Sequence, residues 1–288
     1  MKPYVILTDS ACDISEAILS TWGVKCAQLT FAFQDDRKQY SNFEMPADEF
    51  YAKMRAGGVA KTSAINVSAF KAFFEEELKA GNDILYIGFS SGLSATCSSA
   101  AIAADELMKL YPESKITVVD SLAASAGFGL LLYLAVKEKE KGKTLDETAK
   151  FVTDTRLGIC HWFTVDDLVY LKRGGRVNPA TAVVGNLLGI KPILHVDDEG
   201  HLINVTKVRG RKNSVAMLAD KYTELVKDTS LPVFISHGDC IEDAKLLADL
   251  IKQKHGVDVE IITDVGPVIG AHSGPGTLAL FFVTDKTR

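Results

Sequence analysis

The chain has 288 residues, 47% hydrophobic and 24% charged, the balance of a globular protein with apolar surface enough for two cores of ordinary size. The net charge of −5 argues against a nucleic-acid partner, because gripping a phosphate backbone needs a basic face. Cys12, Cys26, Cys97, Cys160 and Cys240 are odd in number, widely spaced and form no C-x-x-C pair. That pattern suits neither a disulfide framework nor a zinc site, and a reducing cytoplasm is expected. The apolar run at 5–7 is too short for an export signal. The longest apolar run, 122–136, is shorter than the ~20 residues of a membrane span, so it reads as a buried helix and no stable membrane insertion is expected.

In chain order, residues 4–8 are a short β-rich run, and Asp13, Ile14 and Ser15 open a helix carrying Ile18, Leu19 and Trp22. Residues 27–33 read as another strand. Pro46 suits a first helical position, with Asp48 and Glu49 where the helix dipole favours negative charge, and Gly57 and Gly58 stop that helix. Phe70, Phe73, Phe74 and Leu78 recur at helical spacing, which predicts an amphipathic helix over 68–79. Strands at 84–87 and 116–119 then alternate with helices at 97–110 and 123–141. Such alternation implies βαβ crossovers and a parallel, Rossmann-like sheet.

The character changes after about Thr153. Strands at 193–196 and 202–208 flank Asp197, Asp198, Glu199 and Gly200, which reads as a β-hairpin with glycine at the turn. A strand at 232–236, a helix at 242–254, a strand at 257–263 and a last strand at 277–284 follow. The expected fold is α/β in two domains. Residues 1–153 form an N-terminal α/β domain on a parallel sheet, and residues 154–288 an α+β domain on a mixed sheet.

Ligands of open parallel sheets bind beyond the carboxyl ends of the strands, and here those ends repeat one chemistry. The first strand ends in Thr8-Asp9-Ser10, the next in Ser90-Ser91-Gly92-Leu93-Ser94, and another in Asp120-Ser121; Lys61-Thr62-Ser63 precedes a further helix. Hydroxyls and free N–H groups at helix N-termini can hold an anion, although each loop alone is equally a set of N-caps. Together, with Gly92 permitting close backbone approach, they point to a site. No G-x-x-x-x-G-K-[ST] loop is present, since Lys137 stands where the first glycine before Gly142-Lys143-Thr144 belongs. The edge is poor in Lys and Arg and has no carboxylate cluster for Mg²⁺. Hydroxyls without cations suit a singly charged head group such as a carboxylate. No cofactor and no metal are expected. His272 lies among Gly266, Pro267, Gly270, Gly274, Pro275 and Gly276, the composition of a backbone wrapped closely around something. The other histidines, His161 and His237 among them, have no ligand spacing and are read as structural.

In order and spacing these segments resemble the DegV family over about residues 3–284. The resemblance rests on Thr8-Asp9-Ser10, Lys61-Thr62-Ser63, Ser90-Ser91-Gly92-Leu93-Ser94-Ala95-Thr96 and Val119-Asp120-Ser121. It continues through Leu171-Lys172-Arg173-Gly174-Gly175-Arg176, Lys207-Val208-Arg209-Gly210-Arg211-Lys212 and Gly266-Pro267-Val268-Ile269-Gly270 with His272. Ala64-Ile65-Asn66 stands where the family often has Gln-Pro, Ala95 where it has Gly, and Cys97 where it has Tyr. These departures bear on the tail tunnel rather than the head-group site. The resemblance implies a non-catalytic protein that binds a long-chain fatty acid such as palmitate between two α/β domains. It also implies a role as the lipid-carrying subunit of a fatty-acid kinase, whose separate ATP-binding subunit phosphorylates the carboxylate. By resemblance Thr62 and Ser94 hold the carboxylate and His272 lies close to it, with Ser10, Ser63, Ser91, Gly92 and Ser121 from the same loops. Leu29, Phe31, Phe33, Leu187, Leu188, Ile190, Val268 and Ile269 are candidate tunnel walls.

Two other readings compete. Gly88-Phe89-Ser90-Ser91-Gly92 fits the G-x-S-x-G elbow of a serine hydrolase, with Ser90, Asp239 or Asp264, and His272 in triad order. No H-G-G-G-type oxyanion segment precedes it, and too few strands come first. The basic stretches 172–176 and 207–212 suggest a partner- or phosphate-binding face. Lys207, Arg209 and Arg211 would dock a kinase subunit, their side chains free at a sheet edge.

Overall fold

The computed structural model describes residues 2–36, 38–177 and 189–285. In the first half, β1 (Tyr4–Asp9) and β2 (Lys25–Ala27) precede β3 (Thr30–Phe33), β4 (Tyr40–Ser41) and β5 (Ala60–Ser63), and β6 (Asp83–Gly88) and β7 (Ile116–Asp120) follow. The order β2-β1-β6-β7 makes a sheet parallel throughout, as the alternation with helices requires. Strands β4-β3-β5 form a separate small antiparallel sheet. The second half holds β8 (Ile159–Thr164), β9 (Ile190–Val196), β10 (Leu202–Arg209), β11 (Phe234–His237), β12 (Ile261–Asp264) and β13 (Leu278–Val283). Their order is β10-β9-β8-β13-β11-β12, mixed because β11 and β12 run parallel while the other pairs are antiparallel.

The helices are α1 (Glu16–Thr21), α2 (Ala47–Arg55), α3 (Val67–Lys79), α4 (Thr96–Leu110), α5 (Ser125–Glu140), α6 (Leu145–Thr155), α7 (Val169–Gly174), α8 (Arg211–Leu225), α9 (Ile241–His255) and α10 (Pro267–Ser273). Local chemistry sets several of their starts. Asn66 accepts from the Ala69 N–H before α3, and Thr144 with Glu147 forms a reciprocal capping box before α6.

Helix α5 joins the two halves. It is the apolar run anticipated as a buried helix, and residues Ser125 to Leu132 are all buried. A helix apolar on every side needs a partner on every side. One face meets β8, β11 and β13, and another meets the short turn Ser10–Cys12 after β1. Glycine makes both approaches possible. A Cβ at Gly127 would stand 2.4 Å from His161 Nε2 and 2.5 Å from the Phe281 ring, and one at Gly129 would stand 2.6 Å from Ile14. A shared core results, with Leu131 and Phe128 from the first half and Phe163, Phe234 and Phe281 from the second, while a separate core around Val215, Leu218 and Phe282 belongs to the second half alone.

The structure departs from the sequence reading at several points. Residues 27–33 are two strands in different sheets, divided at Gln28 and Leu29, and Lys61 to Ser63 lie on β5 rather than in a loop. Helix α6, helix α7 and strand β8 were not anticipated. β8 is buried at all six positions, so it lacks the period-2 alternation that marks a half-exposed strand. The break expected near Thr153 falls inside α6, while the sheets themselves change between Asp120 and Ile159.

Replacing Gly127 by Ala tests the α5 contact through the sign of its effect. Helix propensity alone favours the change by about 1 kcal/mol, whereas overpacking a rigid core costs ~1–3 kcal/mol. With His161 and Phe281 blocking the new Cβ, urea denaturation is expected to show net destabilisation.

Candidate functional site

A cavity of about 260 Å³ lies where the two halves meet, lined by Thr62, Phe89, Leu93 and Ser94 from the first and Phe163, Arg176, Val268 and His272 from the second. Ligand cavities run to ~300–1,000 Å³, so this space suits one slender molecule. Its walls are largely apolar, with Leu29, Ile269, Ala279 and Phe281 adding to them.

Thr62, Ser94, Arg176 and His272 are among its polar side chains. Thr62 sits on β5 and His272 in the last turn of α10, with Thr62 Oγ1 and His272 Nε2 2.8 Å apart. Ser94 lies just before α4, accepts from the Thr96 N–H at 3.3 Å and shares a 2.9 Å hydrogen bond with the Thr96 hydroxyl. Ala95, the N-cap of α4, also lines the cavity and offers no side-chain cap, so the positive end of that helix faces the same space. Arg176 follows α7 and the left-handed Gly175, which turns the chain back so that Nε donates to the Leu93 carbonyl at 3.2 Å. Nη1 donates to the Gly174 carbonyl, and Nη2 has no partner among the described residues.

Burial, and secondarily the Arg176 guanidinium, pull the His272 pKa down from 6.5 to about 4. The imidazole is therefore neutral at pH 7. Its Nδ1 packs against Gly174, where a Cβ would come within 2.1 Å, and has no hydrogen-bond partner among the described residues. Thr62, Ser94 and Arg176 each bring a donor to the cavity lining, while the one N–H of the neutral His272 ring lies either on Nε2 toward Thr62 or on Nδ1 beside Gly174. That arrangement matches a carboxylate, which only accepts.

The remaining expected head-group residues are placed elsewhere. Ser10 is fully buried and accepts from the Leu29 N–H at 2.9 Å, while the buried Ser121 closes its own turn by accepting from the Ala123 N–H at 3.1 Å. Ser63 follows Thr62 on β5 and so points to the other face. The Ser91 N–H is taken by the Asp120 carboxylate at 3.2 Å. Gly92 does allow a close approach, but to the hairpin between β9 and β10, since a Cβ there would lie 2.9 Å from the Glu199 carbonyl. Of the proposed walls, Leu29, Val268 and Ile269 line the cavity, Phe31 and Phe33 belong to the core of the small sheet, and Ile190 is not on the lining. Leu187 and Leu188 lie outside the described residues.

The hydrolase constellation is not assembled. Ser90 is fully buried, and its hydroxyl donates to the Gly200 carbonyl at 2.9 Å, latching the hairpin turn onto the first half. His272 pairs with Thr62, Asp239 with Arg55, and Asp264 faces His237 at 3.5 Å.

Two further expectations need correcting. The site is not without a cation, because Arg176, read as part of a surface basic cluster, lines it. The charges beside it, Lys172 and Arg173, read as surface; the Gly174-Gly175 pair that turns it inward was the available signal. Arg211 is not free. It pairs with Asp243 at 2.9 Å and faces Asp166 at 3.6 Å, whereas Lys207 and Arg209 are exposed and have no side-chain partner among the described residues. His161, read as an ordinary core histidine, also lines the cavity, its Nδ1–H donating to the Ile159 carbonyl at 2.8 Å. Among the described residues no group of three His, Cys, Asp or Glu could hold a metal ion, and no helix is long and apolar enough to cross a membrane.

Fold and site together define an α/β protein with a largely apolar cavity between its halves and polar side chains set on its wall. The model of the DegV family, whose description reads "Uncharacterised protein, DegV family", matches residues 3–285, and the chain belongs to that family. A DegV domain-containing protein of Clostridium perfringens is 42% identical over 288 residues, 99% of each chain. Among solved structures, a DegV lipid binding protein of Thermotoga maritima is 30% identical with a TM-score of 0.85, covering 99% of this chain and 100% of that one. DegV of Bacillus subtilis, a fatty acid binding protein, is 26% identical with a TM-score of 0.84 over 99% of this chain and 100% of that one. The family resemblance and the expected fold class are both borne out.

The neutral His272 leaves a signature in the pH dependence of stability. Its folded pKa lies below the unfolded value, so the unfolded chain takes up a proton near pH 6.5 that the folded protein refuses until about pH 4. Stability contributed by the neutral ring is complete above pH 6.5 and falls between there and pH 4, by roughly 3 kcal/mol. Denaturant titrations across that window are expected to flatten in His272→Gln.

Proposed function

We propose that this protein binds one long-chain fatty acid, with its carboxylate on Thr62, Ser94, His272 and Arg176 and its tail in the apolar cavity between the two halves. The observation that carries this reading is the placement of Thr62, Ser94, Arg176 and His272 on one largely apolar cavity. The lipid and fatty-acid binding of the Thermotoga maritima and Bacillus subtilis relatives supports it. The tail supplies most of the affinity. Burying sixteen carbons at ~0.8 kcal/mol per CH₂ gives on the order of 12 kcal/mol before the costs of association. Each charge-assisted hydrogen bond adds only ~1.5–3 kcal/mol, so the donors chiefly fix where the carboxylate points.

The discriminating experiment compares ligands of one length. Mass spectrometry of organic extracts is expected to find about one fatty acid of ~14–18 carbons per chain. In delipidated protein, Thr62→Ala or Arg176→Leu should weaken palmitate binding by ~1.5–3 kcal/mol and leave hexadecanol unaffected, because the alcohol brings no charge to the donors. Equal losses for acid and alcohol, or no uptake of either, would overturn the assignment.

The reading extends to presentation of the bound acid to a separate ATP-dependent kinase subunit in the cytoplasm, with no catalytic residue in this chain. The exposed Lys207 and Arg209 on the edge strand β10 serve as the docking face, and Arg211 has a structural role through Asp243. Charge reversal in Arg209→Glu is expected to leave palmitate binding intact and to slow association with the kinase, more so at low salt. Association at the native rate in stopped-flow mixing would remove the docking role.

A further inference from the structure

The cavity has a second polar locus that the head group leaves unused. Ser125 begins α5 and Ser236 lies on β11, and both line the cavity. Their hydroxyl oxygens are 2.9 Å apart, and Ser125 Oγ lies 2.6 Å from Asp13 Oδ2. Relative exposure is 3% for Asp13, 6% for Ser125 and 0% for Ser236, so water at the surface satisfies none of them. No hydrogen bond joins this group to Thr62, Ser94, Arg176 or His272 among the described residues.

The protons of this chain do not close on themselves. With Asp13 ionised, Ser125 donates to the carboxylate and Ser236 donates to Ser125, which leaves the Ser236 oxygen as an unused acceptor. With Asp13 protonated on Oδ2, both bonds reverse and the Ser236 O–H is left as an unused donor; with the proton on Oδ1, the first arrangement persists. Burial pushes the Asp13 carboxyl up to about 8, which favours its neutral form at pH 7. In either state Ser236 has hydrogen-bonding capacity left, and its one side-chain partner among the described residues is Ser125. A saturated acyl chain cannot answer it. A hydroxyl on that chain can, because it both donates and accepts.

We propose that Asp13, Ser125 and Ser236 form a second subsite that receives a hydroxyl carried on the acyl chain, which makes hydroxylated long-chain fatty acids ligands of this protein. The proposal rests on the fatty-acid reading and narrows its ligand class. In a dry apolar cavity without such a subsite, a buried unpaired hydroxyl weakens binding about 10-fold or more. With the subsite, the position of the hydroxyl along the chain decides the affinity.

Competition binding to delipidated protein tests this. The ligands are octadecanoic acid and a series of monohydroxyoctadecanoic acids whose hydroxyl moves from the middle of the chain toward the methyl end. The expected result is one position that binds at least as tightly as octadecanoic acid, with neighbouring positions weaker. Ser236→Ala should weaken that isomer about 10-fold and leave octadecanoic acid unchanged. The subsite is overturned if every isomer binds more weakly than octadecanoic acid by about 10-fold or more, or if Ser236→Ala shifts both ligands alike. Should Ser236→Ala not fold, the wild-type profile along the chain decides alone, a flat one overturning the proposal. Failure to bind octadecanoic acid itself would instead remove the fatty-acid reading.

Discussion

The close approach of helix α5 to the strands beside it is the constraint on which the rest of this structure depends. An apolar helix can serve two sheets only if its side chains leave room, and Gly127 and Gly129 supply that room on its two faces. With α5 seated, the first turn of the same helix stands at the cavity, and Phe281, which bounds Gly127, also forms the cavity wall. The packing that unites the core therefore also sets the dimensions of the binding space. A single methyl group at Gly127 would press on both.

Around that space the chain separates its tasks by element type. Apolar contact comes from strands and helices whose positions are fixed by the core, such as Phe163 on β8 and Val268 on α10. Directional contact comes from residues at element ends: Ser94 ahead of α4, Arg176 after α7, and His272 in the closing turn of α10. Element ends carry unsatisfied backbone groups and permit sharper turns, so polar side chains there can converge from distant parts of the sequence. The neutral state of His272 fits this division. A second cation beside Arg176 would be costly in an apolar cavity, and a neutral ring can still donate a proton in a hydrogen bond.

Much of this was legible in the sequence, and the exceptions have physical causes. The alternation of strands and helices before Thr153 gave the parallel sheet, and the apolar run at 122–136 gave α5. Strand β8 was hidden because full burial erases alternation. The small sheet was hidden because its strands are two to four residues long and pair across an intervening helix. Hydroxyls marked the segments of Thr62 and Ser94 and glycine marked the surroundings of His272, while the family resemblance singled out these three, all of which line the cavity. The same rule also brought in Ser10, which holds the distant Leu29 N–H, and Ser121, which closes a turn, since backbone-binding and ligand-binding hydroxyls are identical residue types. Arg176 was missed because its neighbours Lys172 and Arg173 made it look like surface.

The links between the halves also bear on how the protein comes apart. The Asn42 side chain donates to the Ser10 carbonyl at 3.0 Å and accepts from the Val268 N–H at 2.8 Å, and the Tyr51 hydroxyl donates to the Val265 carbonyl at 2.7 Å. These groups are buried, so separating the halves would strand them without water as well as expose the shared core. Domains joined by small polar interfaces can melt in turn and hinge freely. Here neither half keeps a complete interior without the other. A chain cut near Thr153 should therefore leave each fragment with the apolar surface at α5 uncovered, and only the second fragment keeps a core of its own, around Val215, Leu218 and Phe282.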